Sequence, residues 1–240
     1  MPDPTPTKPL NIGFVLFPRV TQLDFTGPLQ VFARLPGAKV HLIWKRIEPV
    51  TSDTPLVLLP TISFDDCPQL DVLCVPGGVG TDDMVNDEEM LAFLRRQAAG
   101  AKFITSVCTG SLVLAAAGLL DGYRATTHWG AMEHLAPLGA TPVETRVCVD
   151  RNRITGGGVT AGIDFGLTVA ALLTNQRTAE TIQLTLEYNP APPFNAGSPK
   201  TASPEILADW KQLTAPWAER RGAAIAKAVA RKAKATASVA

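Results

Sequence analysis

The amino-acid sequence predicts an α/β fold in which a mostly parallel sheet is covered by helices on both faces. Short apolar, β-branched runs alternate along the chain with segments of helical periodicity, which is the pattern of parallel strands joined by helices. One strand and the helix after it are separated by only three residues, within segment 101–120. A length of 240 residues suits one large α/β domain with an appendage.

The individual elements follow from periodicity and from turn residues, taken in chain order. The predicted strands are 10–17, 40–45, 56–59, 71–75 and 103–107, followed by a hairpin-sized pair at 146–149 and 153–155. The predicted helices are 25–35, 86–99, 111–120, 129–135, 160–174 and 178–187, and finally 205–235, which is expected to be broken or kinked at Pro216.

The chain is expected to divide into three parts. Residues 10–188 form the α/β domain, residues 189–204 a Pro-rich linker, and residues 205–240 a C-terminal helical extension. Lys and Arg recur along the extension, a pattern that is compatible with binding to nucleic acid. It is more typical of a solvated helix face or of an arm packed on a second subunit. A homodimer is predicted, because a long terminal helix with an apolar stripe, joined by an extended linker, suits packing on a symmetric partner. Residues 1–9 are polar and Pro-rich, and we expect them to be disordered.

Composition excludes several classes of function. Lys plus Arg and Asp plus Glu are equal at 22 each, so no overall field favours nucleic acid, an anionic membrane or a highly charged substrate. The longest apolar stretch, 112–120, is too short to span a bilayer, and the N-terminus lacks the apolar core of a signal peptide. The four cysteines form no C-x-x-C pair and no zinc-like cluster with the three histidines. We expect a soluble, cytoplasmic protein with reduced thiols and no metal.

Cys108 stands at the tightest strand-to-helix connection in the chain. Only Cys108, Thr109 and Gly110 separate the predicted strand from the predicted helix, so the backbone must bend sharply, and Gly110 leaves room for a neighbouring segment. A thiol at a helix N-terminus is favoured as thiolate, and the arrangement matches the elbow that presents a nucleophilic serine in G-x-S-x-G enzymes. The alternative is a buried cysteine acting as a small hydrophobe.

Asp24 is the candidate acid/base partner of this cysteine. It follows the first strand, and in an open α/β sheet the ligand site lies beyond the carboxyl ends of the strands. An aspartate just before a helix is also a routine N-cap, although Thr26 and Gly27 can cap a helix that begins at Pro28. A carboxyl beside a cysteine in an apolar pocket would have a raised pKa, which lets it donate and accept a proton.

Two glycine turns are expected at the same edge of the sheet. The backbone N–H groups of Gly77 and Gly78, together with that of Thr109, can form a cradle of donors for charge developing on a substrate. The run 155–162 contains a relaxed dinucleotide-binding pattern, but no parallel strand with an acidic end follows it. A turn that lines the same pocket, with Gly157 as a donor, is the preferred interpretation.

His128 has two interpretations. It can form a dyad with the cysteine through space, or act as a structural hydrogen-bonding residue at a helix start, which the surrounding helix-start signals favour. The remaining histidines are assigned no role and the remaining cysteines are assigned to packing: His41, His134, Cys67, Cys74 and Cys148.

Taken together, these motifs resemble the ThiJ/PfpI superfamily of flavodoxin-like α/β proteins, and most closely its isocyanide hydratase branch. The resemblance rests on GFVLFPRVTQLDFTGPLQVFARLP, VPGGVG, TSVCTGSLVLAAAGLL, RATTHW, TGGGVTAGIDF and LEYNPAPPFNAGSP, which span residues 13–199. The SVCTGS segment alone is shared with regulators and other members of the superfamily. The full set in this order is far more specific.

The resemblance implies a nucleophile at Cys108 and an acid/base carboxyl at Asp24. Thr109 follows the cysteine where protease-like members carry His, which argues against peptidase activity. Asp24 stands where many relatives that act on aldehydes or sense oxidants have Glu. Within the hydratase pattern, Val79 replaces an expected Thr and Val159 an expected Ile.

The activity that this resemblance implies is hydration of a small-molecule isocyanide to an N-substituted formamide, without metal or organic cofactor. Cys108 would attack the terminal carbon while Asp24 supplies a proton, giving a thioimidate that water then hydrolyses. Two alternatives stay open: a non-catalytic, ligand-sensing regulatory domain, and an aldehyde-processing or redox enzyme that uses the same cysteine.

Overall fold

The computed structural model describes residues 9–237 and contains a seven-stranded sheet as its central layer. The strands are β1 (Leu10–Val15), β2 (Ala38–Trp44), β3 (Val50–Thr51), β4 (Val57–Leu58), β5 (Ile62–Ser63), β6 (Val72–Val75), β7 (Phe103–Val107), β8 (Arg124–Ala125), β9 (Thr141–Pro142), β10 (Val147–Asp150) and β11 (Arg153–Gly156). Disorder was predicted for residues 1–9, and residues 1–8 lie outside the described residues.

The sheet has the order β10-β11-β7-β6-β1-β2-β5. Every neighbouring pair is parallel except β10 with β11, which form an antiparallel hairpin at one edge. The predicted mostly parallel sheet and the hairpin are therefore confirmed. Two small two-stranded sheets, β3-β4 and β8-β9, lie outside it.

Helices cover the central sheet on both faces. They are α1 (Gln22–Phe32), α2 (Thr81–Met84), α3 (Glu88–Ala98), α4 (Gly110–Ala116), α5 (Ala161–Leu173), α6 (Gln176–Thr185) and α7 (Pro204–Ala237), with a 3₁₀ helix at Trp129–His134. Helix α1 packs on α5, and α5 on α6, while α3 and α4 pack together over β6. No helix of residues 9–237 is long and apolar enough to cross a membrane.

Buried aromatic side chains join the sheet to its first helical layer. Phe14 of β1 stacks on Phe32 of α1 with ring centroids 5.7 Å apart, and Phe32 meets Phe165 of α5 edge-on at 6.2 Å. All three rings are fully buried. Burial of a side chain of this size contributes about 1.5–3 kcal/mol, so this row fixes α1, and the residues at its start, against the sheet.

The predictions for helices α1, α4 and α7 were wrong in part. Helix α1 begins at Gln22 rather than at residue 25, with Thr21 as its extended N-cap residue, so Pro28 lies inside the helix and does not start it. Helix α4 ends at Ala116 because Gly118 adopts a φ of +82°, which terminates the helix before residue 120. Helix α7 is continuous through Pro216 and is not broken there.

Helix α7 packs against its own chain. Its Ile225 and Ala228 are buried, and Arg221 pairs with Asp82 of α2 at 3.0 Å. Basic side chains near its end donate to carbonyls at the end of α4, Arg231 to Ala116 and Lys232 to Ala115. Cations are favoured at a helix C-terminus, so these contacts explain the basic character of α7. Much of the rest of α7 is exposed, so packing of this helix on a second subunit and homodimerisation stay predictions.

Candidate active site

The candidate site lies where four neighbouring parallel strands end. Strands β11, β7, β6 and β1 are adjacent in that order, and each is followed by one of the turns singled out in the sequence. The carboxyl ends of parallel strands meet at one edge of the sheet, where ligands bind in open α/β folds. This topology brings Cys108, Asp24 and both glycine turns together.

Cys108 occupies the predicted sharp bend. Its φ of 56° is left-handed, a conformation that costs a non-glycine residue about 1–2 kcal/mol. The bend is held because the Cys108 N–H donates to the carbonyls of Gly156 and Gly157, at 3.1 and 2.9 Å. A Cβ atom at Gly110 would lie 2.0 Å from the carbonyl oxygen of Val75, so only glycine fits there. The neighbouring strands therefore enforce a strained elbow that presents the thiol.

The ionisation of Cys108 differs from the expectation. The backbone N–H groups of Thr109 and Val159 donate to its sulfur and lower the pKa of the thiol. Burial and the nearby charge of Asp24 raise the pKa by more, so the net shift is upward and the thiol is neutral while Asp24 is ionised. The sequence analysis predicted a thiolate from the position of Cys108 at a helix N-terminus. This was wrong, because the N-terminus of the short helix α4 does not offset the loss of water around the sulfur.

Asp24 faces the thiol from the first turn of α1. The side chain is fully buried, and its Oδ2 accepts a hydrogen bond of 2.8 Å from the N–H of Gly77. Its Oδ1 has no N–H or O–H partner among the described residues, and the Cys108 thiol interacts with the carboxyl. Asp24 is therefore not a helix cap, since its carboxyl is directed into the site.

The pKa of Asp24 is raised to about 7. Burial is the largest cause, and the charge of Asp53 adds to it, while hydrogen bonds from Gly77 and Cys108 act in the opposite direction. A buried carboxyl with a pKa near neutrality can both take and return a proton. The predicted rise in the pKa is confirmed, and its cause is mainly loss of water around the group.

The glycine N–H groups have partners inside the protein. Gly77 donates to Asp24, Gly78 donates to the Thr109 hydroxyl at 3.1 Å, and Gly157 donates to the carbonyl of Arg146 at 2.9 Å. The expectation that these three groups face a substrate is revised, because each is already engaged. A Cβ at Gly77 would lie 2.7 Å from Asp24 Oδ2, so the glycine keeps open the space between acid and elbow.

Thr109 joins two of the converging turns. Its hydroxyl accepts from the Gly78 N–H and from the Thr81 hydroxyl, both at 3.1 Å, while its backbone N–H points at the Cys108 sulfur. The network fixes the turn after β6 relative to the elbow. Of the predicted donors, only the Thr109 N–H lies against the Cys108 sulfur.

A cleft of about 580 Å³ opens above Cys108. Its inner wall includes Gly78, Cys108 and Thr109, which the sequence analysis singled out. Val159 also lines the cleft, which confirms that the second glycine run borders the same pocket. The outer wall was not predicted. It consists of one face of α7, formed by Trp210, Thr214, Trp217, Ala218 and Arg221. Their spacing of four, seven, eight and eleven residues after Trp210 is the helical signal that could have revealed this face.

His128 has the structural role that the sequence favoured. It is the N-cap residue of the 3₁₀ helix, and its Nδ1 accepts a hydrogen bond of 3.1 Å from the N–H of Gly130. The ring also borders the cleft, and burial lowers its pKa, so it is neutral at pH 7. Among residues 9–237, no three His, Cys, Asp or Glu side chains are placed to hold a metal ion.

The fold and site together define a flavodoxin-like α/β protein with a cysteine on a strand-to-helix elbow beside a buried carboxyl. Residues 11–172 match the model of the DJ-1/PfpI family, and the chain belongs to that family.

Individual relatives resemble the chain beyond the family domain. Isonitrile hydratase from Pseudomonas putida is 58% identical over 207 residues, covering 86% of this chain and 91% of that protein. The crystal structure of a ThiJ/PfpI family protein from Pseudomonas syringae aligns with a TM-score of 0.89 at 47% identity, covering 94% of this chain and 97% of that one. The HTH-type transcriptional regulator GbdR from Pseudomonas aeruginosa is 35% identical over 175 residues, 68% of this chain and 47% of the regulator.

Proposed function

We propose that this protein is an isocyanide hydratase, a hydro-lyase that converts an isocyanide and water into an N-substituted formamide. The observation that carries the proposal is the buried pair of Cys108 and Asp24, with coupled protonation, at the base of the cleft. The terminal carbon of an isocyanide must gain both a nucleophile and a proton, which this pair can supply from adjacent atoms. The similarity to the isonitrile hydratase supports the assignment.

In the first half of the reaction, the pair holds one proton between its two members. Asp24 takes the thiol proton as the Cys108 sulfur attacks the terminal carbon of R–N≡C, and the same proton then passes from Asp24 to that carbon. One C–S and one C–H bond form, giving the thioimidate R–N=CH–S–Cys, and Asp24 is left ionised. The N–H groups of Thr109 and Val159 stabilise the sulfur when it carries negative charge.

In the second half, ionised Asp24 removes a proton from water, and the hydroxyl adds to the same carbon. Asp24 passes the proton to the nitrogen, giving R–NH–CH(OH)–S–Cys. The C–S bond then breaks, the hydroxyl loses its proton to the sulfur through Asp24, and R–NH–CHO leaves. Covalent catalysis divides one difficult addition of water into two easier steps.

The remaining site residues position this pair. Gly77 fixes the Asp24 carboxyl through its N–H, and Thr109 holds the turn after β6 with its hydroxyl while its N–H supports the sulfur. These hydrogen bonds are made before substrate arrives, so reorganisation during the reaction is small. Gly78 and Gly157 are assigned to the architecture of the site rather than to contact with substrate.

The regulatory alternative has less support in this structure. The similarity to GbdR covers only part of that protein, and residues 204–237 of this chain form a single helix that borders the cleft rather than a pair of helix-turn-helix units. The basic side chains of α7 that pair with acidic groups and carbonyls of its own chain are committed to that packing.

Product analysis tests the proposed function. We expect the purified protein to convert cyclohexyl isocyanide and benzyl isocyanide to the corresponding formamides, measured by NMR or by chromatography with mass detection. Methylglyoxal and a DNA duplex are included to cover the two alternatives. Consumption of methylglyoxal without formamide formation, or salt-sensitive DNA binding without turnover, would replace the proposal.

A further inference from the structure

Helix α7 contributes a row of side chains to the cleft that the proposed chemistry does not use. Trp210, Trp217 and Arg221 are the large members of this row. We propose that Trp210 and Trp217 select the substituent of the isocyanide, and that the preferred substituent is an uncharged aromatic group. This inference rests on the proposed function.

Trp210 is held rigidly in the cleft wall. Its ring lies 4.0 Å from that of Trp129 and 6.3 Å from the imidazole of His128, with interplanar angles of 39° and 20°. A Cβ atom at Gly130 would lie 2.5 Å from the Trp210 ring, so glycine is needed for this approach. His128, Trp129 and Gly130, at the start of the 3₁₀ helix, therefore hold the Trp210 ring of α7 in place.

Trp217 presents a second aromatic surface two helical turns further along. It lines the same cleft and remains 47% exposed, which leaves ring surface available to a ligand. Aromatic rings pack against each other in offset or edge-on geometry more favourably than their area alone predicts. A planar substituent therefore gains more from this wall than a saturated ring of similar size.

The charges at the cleft do not offer a partner to an anionic substituent. Arg19 pairs with Asp83, and Arg221 pairs with Asp82 at 3.0 Å, so both cations that line the cleft already have a carboxylate. Asp53, the remaining charged residue of the lining, would repel an anion. Arg19 and Arg221 in the same lining counter the attraction of Asp53 for a cation, so the cleft favours an uncharged aromatic group.

The cleft is also large enough for such a substituent. Its volume of about 580 Å³ greatly exceeds the space that the two-atom isocyanide group needs at Cys108. The reacting group can therefore reach the sulfur while an attached ring lies along α7.

The test compares benzyl isocyanide with cyclohexylmethyl isocyanide, which have the same linker and rings of similar size but differ in aromaticity. We expect the native enzyme to favour the benzyl substrate in kcat/KM, and Trp217→Leu or Trp210→Leu to lower the benzyl-to-cyclohexylmethyl ratio about 3–10-fold. The effect should lie mainly in KM. Leu213→Ala is the control, because Leu213 is on the same helix, 68% exposed and outside the cleft lining, and it should leave the ratio unchanged.

A binding measurement separates substrate selection from folding and turnover. N-Benzylformamide should quench tryptophan fluorescence of the native protein at lower concentration than N-(cyclohexylmethyl)formamide, and Trp217→Leu should remove that difference. Equal ratios in the native enzyme and both tryptophan variants would overturn the inference while the proposed function stands. Failure to hydrate either isocyanide would overturn the proposed function, and this inference with it.

Discussion

Replacing Cys108 with alanine should abolish formamide formation, with a loss in kcat/KM on the order of 10⁴-fold or more. The variant has no atom that can form the C–S bond, while Asp24 and the cleft remain in place. Its fold should persist, because the backbone hydrogen bonds from Cys108 N–H to Gly156 and Gly157 do not involve the side chain. Formamide production at saturating enzyme is the measurement, with circular dichroism to verify the fold.

The matched control for this variant is Cys148→Ala. Cys148 is also buried, but it lies on the edge strand β10 and does not line the cleft. We expect this variant to keep near-native turnover. Comparable activity in Cys108→Ala would exclude covalent catalysis by this thiol.

Replacing Asp24 with asparagine should lower kcat/KM about 100–10,000-fold, the range typical of a lost general acid/base. Asparagine has nearly the same shape, and its side-chain oxygen can still accept the Gly77 hydrogen bond. It cannot take the thiol proton or return it to carbon. Because Asp24 is not the N-cap of α1, loss of activity would not arise from an uncapped helix.

Asp53→Asn provides the comparison for Asp24. Asp53 borders the same cleft, and its carboxylate accepts a hydrogen bond from the Thr21 hydroxyl, a role that asparagine can keep. We expect this variant to retain most of its activity. A rate in Asp24→Asn as high as that of Asp53→Asn would remove Asp24 from the mechanism.

The sequence predicted the parts of the site that depend on local spacing and on sheet topology. Three residues between a buried strand and a helix force an elbow, and this required no knowledge of distant contacts. The convergence of Asp24 with Cys108 follows because parallel strands end at a common edge. These two rules were sufficient to place Cys108 and Asp24 beside each other.

Properties that depend on distant packing were not predictable in this way. The pKa of Cys108 is set by burial and by Asp24 as well as by the helix terminus, and burial becomes visible only in the folded chain. The start of α1 was missed because Pro28 favours the first helical position, whereas in the structure the helix begins at Gln22 and includes Pro28. The wall formed by α7 was missed because this helix lies at the far end of the chain, after the irregular segment 189–203, and spacing along the sequence does not show that it folds back over the cleft above Cys108.

The most direct test of the shared proton is the pH dependence of kcat/KM. Below pH 7 both members of the pair are protonated and the thiol is a weak nucleophile, whereas above pH 7 one proton remains between them, which is the reactive form. The account therefore predicts that kcat/KM rises with pH through about 7 and then levels off. Asp53→Asn should move the midpoint to lower pH, because the charge of Asp53 raises the pKa of Asp24. A rate that falls as the pH rises through 7, or that does not change, would contradict the account.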